Sequence, residues 1–182
     1  MRIVLLVLLL ASCATQPRVE RYSIDFPIKT AAPHHLIPST LIVERPIMLP
    51  GYDTSGMAYT TLPHRIDYFA KNRWVASPGA MLYPILVESL SRRFESVKGG
   101  GARGDMRLST EIVMLRQEFS GKSSRIHLVM RETMEVKGRS KTRVFETFED
   151  CPENNPYGGV IAANHAAARL ILEISDFCAA SY

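Results

Sequence analysis

Residues 106–148 read MRLSTEIVMLRQEFSGKSSRIHLVMRETMEVKGRSKTRVFETF. Met106, Leu108, Thr110, Ile112 and Met114 recur at every second position, which puts them on one face of an extended chain. Ile126, Leu128, Met130 and Met134 do the same in the next segment, and Arg143–Phe148 makes a third. Ser120-Gly121-Lys122 and Lys137-Gly138-Arg139-Ser140 separate them. Such short turns between period-two segments leave room only for antiparallel neighbours, so the stretch predicts a three-stranded meander.

Downstream, after the loop CPENNPYGG, the period changes. Val160, Ala163, Ala167, Leu170, Ile171, Ile174 and Phe177 form one stripe at helical spacing. Upstream, Tyr22, Ile24 and Phe26 alternate with polar residues and predict a strand. Leu41–Arg45, Met57–Thr61 and Arg65–Ala70 predict three more, and Lys71–Trp74 a corner after the last. Ser77 is a good N-cap with Pro78 in the first helical position. A helix stripe over Leu82, Ile85, Leu86, Leu90, Phe94 and Val97 follows, interrupted by Pro84 and ended by Lys98-Gly99-Gly100-Gly101. One apolar sheet face and two amphipathic helices bury one another most simply as an α+β, two-layer sandwich of an antiparallel sheet with two main helices. Residues 22–182 are read as one such domain.

The chain has 182 residues, enough for one buried core. Its 22 Lys and Arg against 18 Asp and Glu are interspersed, so the +4 charge makes no basic face for nucleic acid. The N-terminus is more specific. Arg2 precedes an unbroken apolar run from Ile3 to Leu10, too short to cross a bilayer as a helix and suited to a cleaved signal. Leu10-Ala11-Ser12-Cys13 then resembles a bacterial lipobox. That resemblance implies removal of residues 1–12, lipid on Cys13 and a tether over 13–21. Ala14 rather than Asp after the cysteine favours the outer membrane by the same resemblance. Cys151 and Cys178 flank the closing helix, about 30 Å long, whereas a disulfide needs Cα atoms about 4.4–6.8 Å apart. Two separate thiols are expected, with no disulfide.

Catalytic signatures are weak. Residues 99–104, GGGARG, fit a dinucleotide pattern but follow a helix and open a strand, the reverse of what a phosphate site needs. His34 and His35 are adjacent and point apart in an extended chain, and no histidine stands four residues from another. No Gly-x-Ser-x-Gly elbow occurs. The reading is therefore of a non-enzyme without metal or cofactor. One cluster stands out: RIDYFAKNRWVASP, residues 65–78, gathers Tyr68, Phe69, Arg73 and the only tryptophan, Trp74. Its single acid, Asp67, has no nucleophile arranged with it. Trp74 is either a plug between sheet and helix or an interface anchor, with the plug favoured and Asn72 and Arg73 holding the corner.

The region 41–90 around that cluster resembles the ABC-type transport auxiliary lipoprotein family, of the paraquat-inducible protein C type. The resemblance rests on Leu49-Pro50-Gly51-Tyr52, Ala58-Tyr59, Tyr68-Phe69-Ala70, Asn72-Arg73-Trp74 and the helix start at Pro78. It implies an accessory role beside an MCE-domain protein in lipid movement between the two membranes of a Gram-negative envelope. The chain would be held in the outer membrane by Cys13 and face the periplasm. Tyr52, Tyr59, Tyr68, Phe69, Asn72, Arg73 and Trp74 become partner-binding or family-motif candidates, and a homo-oligomer is compatible with the resemblance. After the signal no long apolar stretch marks a lipid-sized cavity, which favours docking over lipid carriage. The alternative is a structural outer-membrane lipoprotein without a transport role.

Overall fold

The computed structural model describes residues 18–28 and 35–182. Cys13, the lipobox and His34 lie outside the described residues. The elements are β1 (Glu20–Tyr22), β2 (Ile37–Val43), β3 (Ile47–Met48), β4 (Gly56–Thr60), β5 (Asp67–Trp74), α1 (Pro78–Ser91), β6 (Phe94–Gly99), β7 (Met106–Ser120), β8 (Ser123–Val136), β9 (Arg139–Asp150) and α2 (Pro156–Ala179).

The meander forms as the alternation predicts. β7 pairs antiparallel with β8 from Met106 opposite Val136 to Ser120 opposite Ser123, and β8 pairs antiparallel with β9. β7 is the spine of the sheet. Along its other edge three short strands lie end to end: β2 beside Met106–Leu108, β3 beside Glu111–Ile112 and β4 beside Gln117–Glu118. All three run parallel to β7. β2 carries β6 outside it, and β4 carries β5 and then β1. The domain is α+β, as read, but its sheet of nine strands is mixed, with parallel pairings that the antiparallel reading lacked.

Both helices cover one face. From α2, Val160, Ala163, Ala167, Leu170, Ile171, Ile174 and Phe177 are all buried, the full predicted stripe. They meet Leu108, Ile112, Leu128, Met130, Met134 and Phe145 from the meander in one continuous core. Asn155 caps the helix by accepting from the Gly158 N–H at 2.8 Å, ahead of Pro156 in the first turn. α1 contributes Met81, Leu82, Ile85, Leu86 and Leu90. The helix runs through Pro84, and both Pro84 and Ala80, whose carbonyl loses its in-helix donor, are exposed residues.

Four local readings change. α1 ends at Ser91, and Phe94 and Val97 belong to β6, opposite Ile37 and Leu41. Phe94-Glu95-Ser96-Val97 fits either period over so short a run, and pairing with β2 decides it. Lys71–Trp74 is not a corner but the end of β5. Beyond Tyr22 the chain leaves the sheet, because the Asn164 side chain of α2 takes its backbone: it accepts from Asp25 N–H at 2.7 Å and donates to Ser23 C=O at 3.2 Å. The sheet instead begins at Glu20, inside the stretch read as tether. Finally, β7 carries a bulge between Ile112 and Met114. One extra residue moves the inward face from even to odd positions. Met114 therefore leaves the core face, while Leu115 and Gln117 are buried.

Candidate functional site

The aromatic segment is assembled by β4, β5 and the loop before them. Tyr68 is 43% exposed, and its hydroxyl donates to the carbonyl of Gly51. Its ring lies across Gly56, where an added Cβ would come within 2.8 Å of Tyr68 Cδ1. Gly51 itself has φ +93°, a conformation open to glycine and strained for other residues. The 49–52 loop and Tyr68 are thus one unit: the ring needs a glycine beneath it and fixes a glycine turn above it. Tyr52 turns inward and is buried.

On the other side of β5, Phe69 stacks on Tyr59 with ring centroids 4.4 Å apart, and Phe119 of β7 meets both edge-on at 5.9 and 6.1 Å. Asn72 accepts from the Tyr22 hydroxyl at 3.4 Å, which ties β5 to β1. Arg73 is exposed. Trp74 is 3% exposed and belongs to the core. It lies in a narrow crevice with Met57, Leu115, Ile126 and Gly159, so it joins β4, β7 and β8 to the start of α2. The plug reading of Trp74 agrees with this burial. Of the seven motif candidates, Tyr68 and Arg73 are exposed, and Tyr52 and Trp74 are buried.

Beside the three rings an open groove of about 570 Å³ separates the β4–β5 turn (Thr60–His64) from the β7–β8 turn (Phe119–Ser124). Arg116, Glu118, Arg125 and Asp150 line its floor. Glu118 Oε1 accepts from Arg116 at 2.7 and 3.0 Å, and Glu118 Oε2 from Arg125 at 3.1 and 3.2 Å. His127 Nδ1 lies 3.1 Å from Glu118, and its Nε2 2.8 Å from Glu146. Burial pushes the Glu118 carboxyl up, but bonds from Arg116, His127 and Arg125 outweigh it and hold the pKa below its ordinary value. Burial likewise works against the Arg116 charge, and Glu118 with Tyr52 nonetheless raises its pKa. A carboxylate held by three basic groups is a structural counter-ion, not a base waiting for a proton. The Phe148 ring stacks on His127 at 4.1 Å and carries the Arg125 guanidinium at 4.2 Å. The groove is polar, ion-paired and open. No group of His, Cys, Asp and Glu among the described residues is arranged to hold a metal.

One residue escaped the sequence reading. Glu132 is fully buried on the core face of β8, between Met130 and Met134. Its Oε2 accepts from the Thr110 hydroxyl at 2.6 Å, and its Oε1 has no protein partner among the described residues. Burial raises its pKa to about 8. Buried Cys178 of α2 is pushed up as well, by desolvation and then by Glu132. Period two was the signal: position 132 falls on the inward face that Ile126, Leu128, Met130 and Met134 define. Cys151, half-buried, stands before α2 and Cys178 near its end.

A sequence model of the ABC-type transport auxiliary lipoprotein component matches residues 22–175. Among solved structures, protein XCC0632 from Xanthomonas campestris is similar over 87% of this chain and 93% of its own, with a TM-score of 0.76 at 14% identity. A second solved structure, of an uncharacterized protein, is similar over 88% of this chain and 98% of its own, with a TM-score of 0.71 at 15% identity. At such identities these likenesses speak for the fold alone. No curated protein matches the chain.

Proposed function

The chain belongs to the ABC-type transport auxiliary lipoprotein family, and from that membership we propose a specific place for it. It is the lipid-anchored, periplasm-facing accessory of an envelope lipid-transport system, and it docks an MCE-domain protein at the outer membrane. The observation that carries this reading is the family match over residues 22–175, which begins shortly after the lipobox at residues 10–13. Lipidation of Cys13 would supply the anchor, and two or more acyl chains would make it stable. No helix among the described residues is long and apolar enough to cross a membrane.

Docking rather than lipid carriage is supported by the shape of the domain. Its apolar side chains fill a core between one sheet face and two helices. The groove beside the β4–β5 turn is open and lined mainly by hydroxyls, arginines and carboxylates, with Leu62, Pro63 and Phe119 among them. An acyl chain requires an apolar enclosure, whereas a protein partner requires a polar rim around a few exposed rings. Tyr68 and Arg73 are the exposed residues among the seven candidates, and on this reading they belong to the docking surface. A photo-crosslinking amino acid at each, in the full chain in its own envelope, tests this. Capture of an MCE-domain protein from both positions is the expected result. Capture of outer-membrane proteins alone would leave the structural reading and remove this one.

A further inference from the structure

The path of the chain into the domain fixes which end faces the anchor. β1 runs parallel to β5, with Glu20 beside Asn72 and Tyr22 beside Trp74. β5 runs antiparallel to β4, and β4 parallel to β7. The chain therefore enters from the end of the sheet where the β4–β5 and β7–β8 turns lie. Carrying the register of Tyr59 opposite Gln117 back along β4 places the start of β1 about level with Met114. From there the far end at Met106 is about 26 Å away at strand rise. The segment from Cys13 to Glu20 reaches about 25 Å at full extension. It would have to reverse and stretch completely to bring an anchor to the far end. The near turns lie within its reach without reversal.

The near end also has the chemistry of a bilayer interface. Leu62 is 56% exposed and Ile66 40% exposed. Residues 60–66 and 120–125 contain His64, Arg65, Lys122 and Arg125 and no acid, while Glu118 and Asp150 line the groove between them. Arg65 and Arg125 are partly engaged by Asp67 and Glu118. At the opposite end the loops 99–105 and 137–140 contain no large apolar residue, and Leu36 ahead of β2 is the exposed aliphatic there. Exposed aliphatics flanked by cations are what an anionic headgroup layer accepts.

We infer that the β4–β5 turn, Leu62–Ile66, with Lys122 of the β7–β8 turn beside it, rests on the lipid surface that holds the anchor. This rests on the reading of Cys13 as the lipidated residue. It leaves the opposite end of the sheet pointing away from the membrane.

The test uses the full chain, processed through its own signal, purified from the envelope and carrying Cys151→Ser. One environment-sensitive fluorophore is placed at Leu62→Cys, Lys122→Cys or Ser140→Cys, and the protein is reconstituted into phosphatidylethanolamine and phosphatidylglycerol vesicles containing spin-labelled lipid. Cys178 is fully buried and stays unlabelled. Blue-shifted emission and quenching at positions 62 and 122, with water-like emission at 140, is the expected result. Water-like emission at both 62 and 122 in a protein that floats with the vesicles overturns the orientation and leaves the anchor standing. A protein that does not float, and whose mass carries no acyl chains, overturns the anchor reading and the orientation with it.

Discussion

Glu132 makes folding of this domain depend on proton uptake. In the unfolded chain its carboxyl ionises near 4.5, and in the folded core burial moves it to about 8. Between those values the native state holds one more proton than the unfolded state. Stability from this group is therefore fully present below the unfolded value and is lost as pH rises towards the folded one. Each unit is worth about 1.4 kcal/mol, so by pH 7 the loss is about 3 kcal/mol. Since small domains are stable by about 5–15 kcal/mol, this single group takes a sizeable share.

Glu132→Gln isolates the effect. The amide carbonyl can still accept from Thr110, while the NH₂ replaces an oxygen that already lacks a protein partner. An unmet buried donor costs about 1–3 kcal/mol at any pH. The variant should thus be no more stable than the parent near pH 5 and more stable by pH 8. Urea titrations from pH 5 to 8.5, followed by the fluorescence of the single, buried Trp74, give both curves. Other titrating groups are common to the two proteins and cancel in the difference. That difference should move in favour of the variant by about 1.4 kcal/mol per pH unit. A constant difference across this range would refute a neutral, buried Glu132.

Trp74→Ala should lower stability by about 3–5 kcal/mol, as emptying a buried aromatic site does, measured by urea melts followed with circular dichroism. Gly159→Ala would drive a Cβ into the Gln117 side chain, which donates to Asn155 C=O at 3.0 Å and Ser124 Oγ at 2.8 Å. A loss of about 1–3 kcal/mol is expected for such overpacking, with hydrogen exchange fastest in the first turn of α2. In a thiol titration of the native protein Cys178 should stay unmodified until the domain unfolds, because it is buried with a raised pKa. Cys151, also raised by burial but half-exposed, should react slowly in the native state.

The legible parts of this fold are those where one period runs long enough to exclude the other. The meander spans Met106–Asp150 and α2 spans Pro156–Ala179, and both appear where alternation and stripe place them. The illegible parts are short. β3 has only Ile47 and Met48, between Pro46 and Leu49-Pro50, and no periodicity can mark a strand of that length. It exists because Leu49 N–H finds the Ile112 carbonyl at 3.2 Å beside the β7 spine. The parallel pairings of β2, β3 and β4 are equally invisible. A parallel partner is set by where the intervening chain returns, not by the residues of the strand.

The site shows the same division in sharper form. Local chemistry flagged Tyr68, Phe69 and Trp74 together, but strand alternation alone cannot sort them. Tyr68 and Phe69 lie on opposite sides, and Trp74 should then share a face with exposed Tyr68. It does not, because the β4–β5 register shifts between Gly56 and Ala58. The irregularity turns Trp74 into the core while Tyr68 stays outside over Gly56. The bulge after Ile112 acts likewise on β7: it exchanges Met114 for Leu115 and Gln117, and so supplies the amide that binds the start of α2. Both irregularities adjoin the crevice where Trp74, Gln117 and Gly159 meet. The aromatic motif and the helix-anchoring contact are thus built on departures from alternation, which is why alternation alone finds the segment and misplaces its side chains.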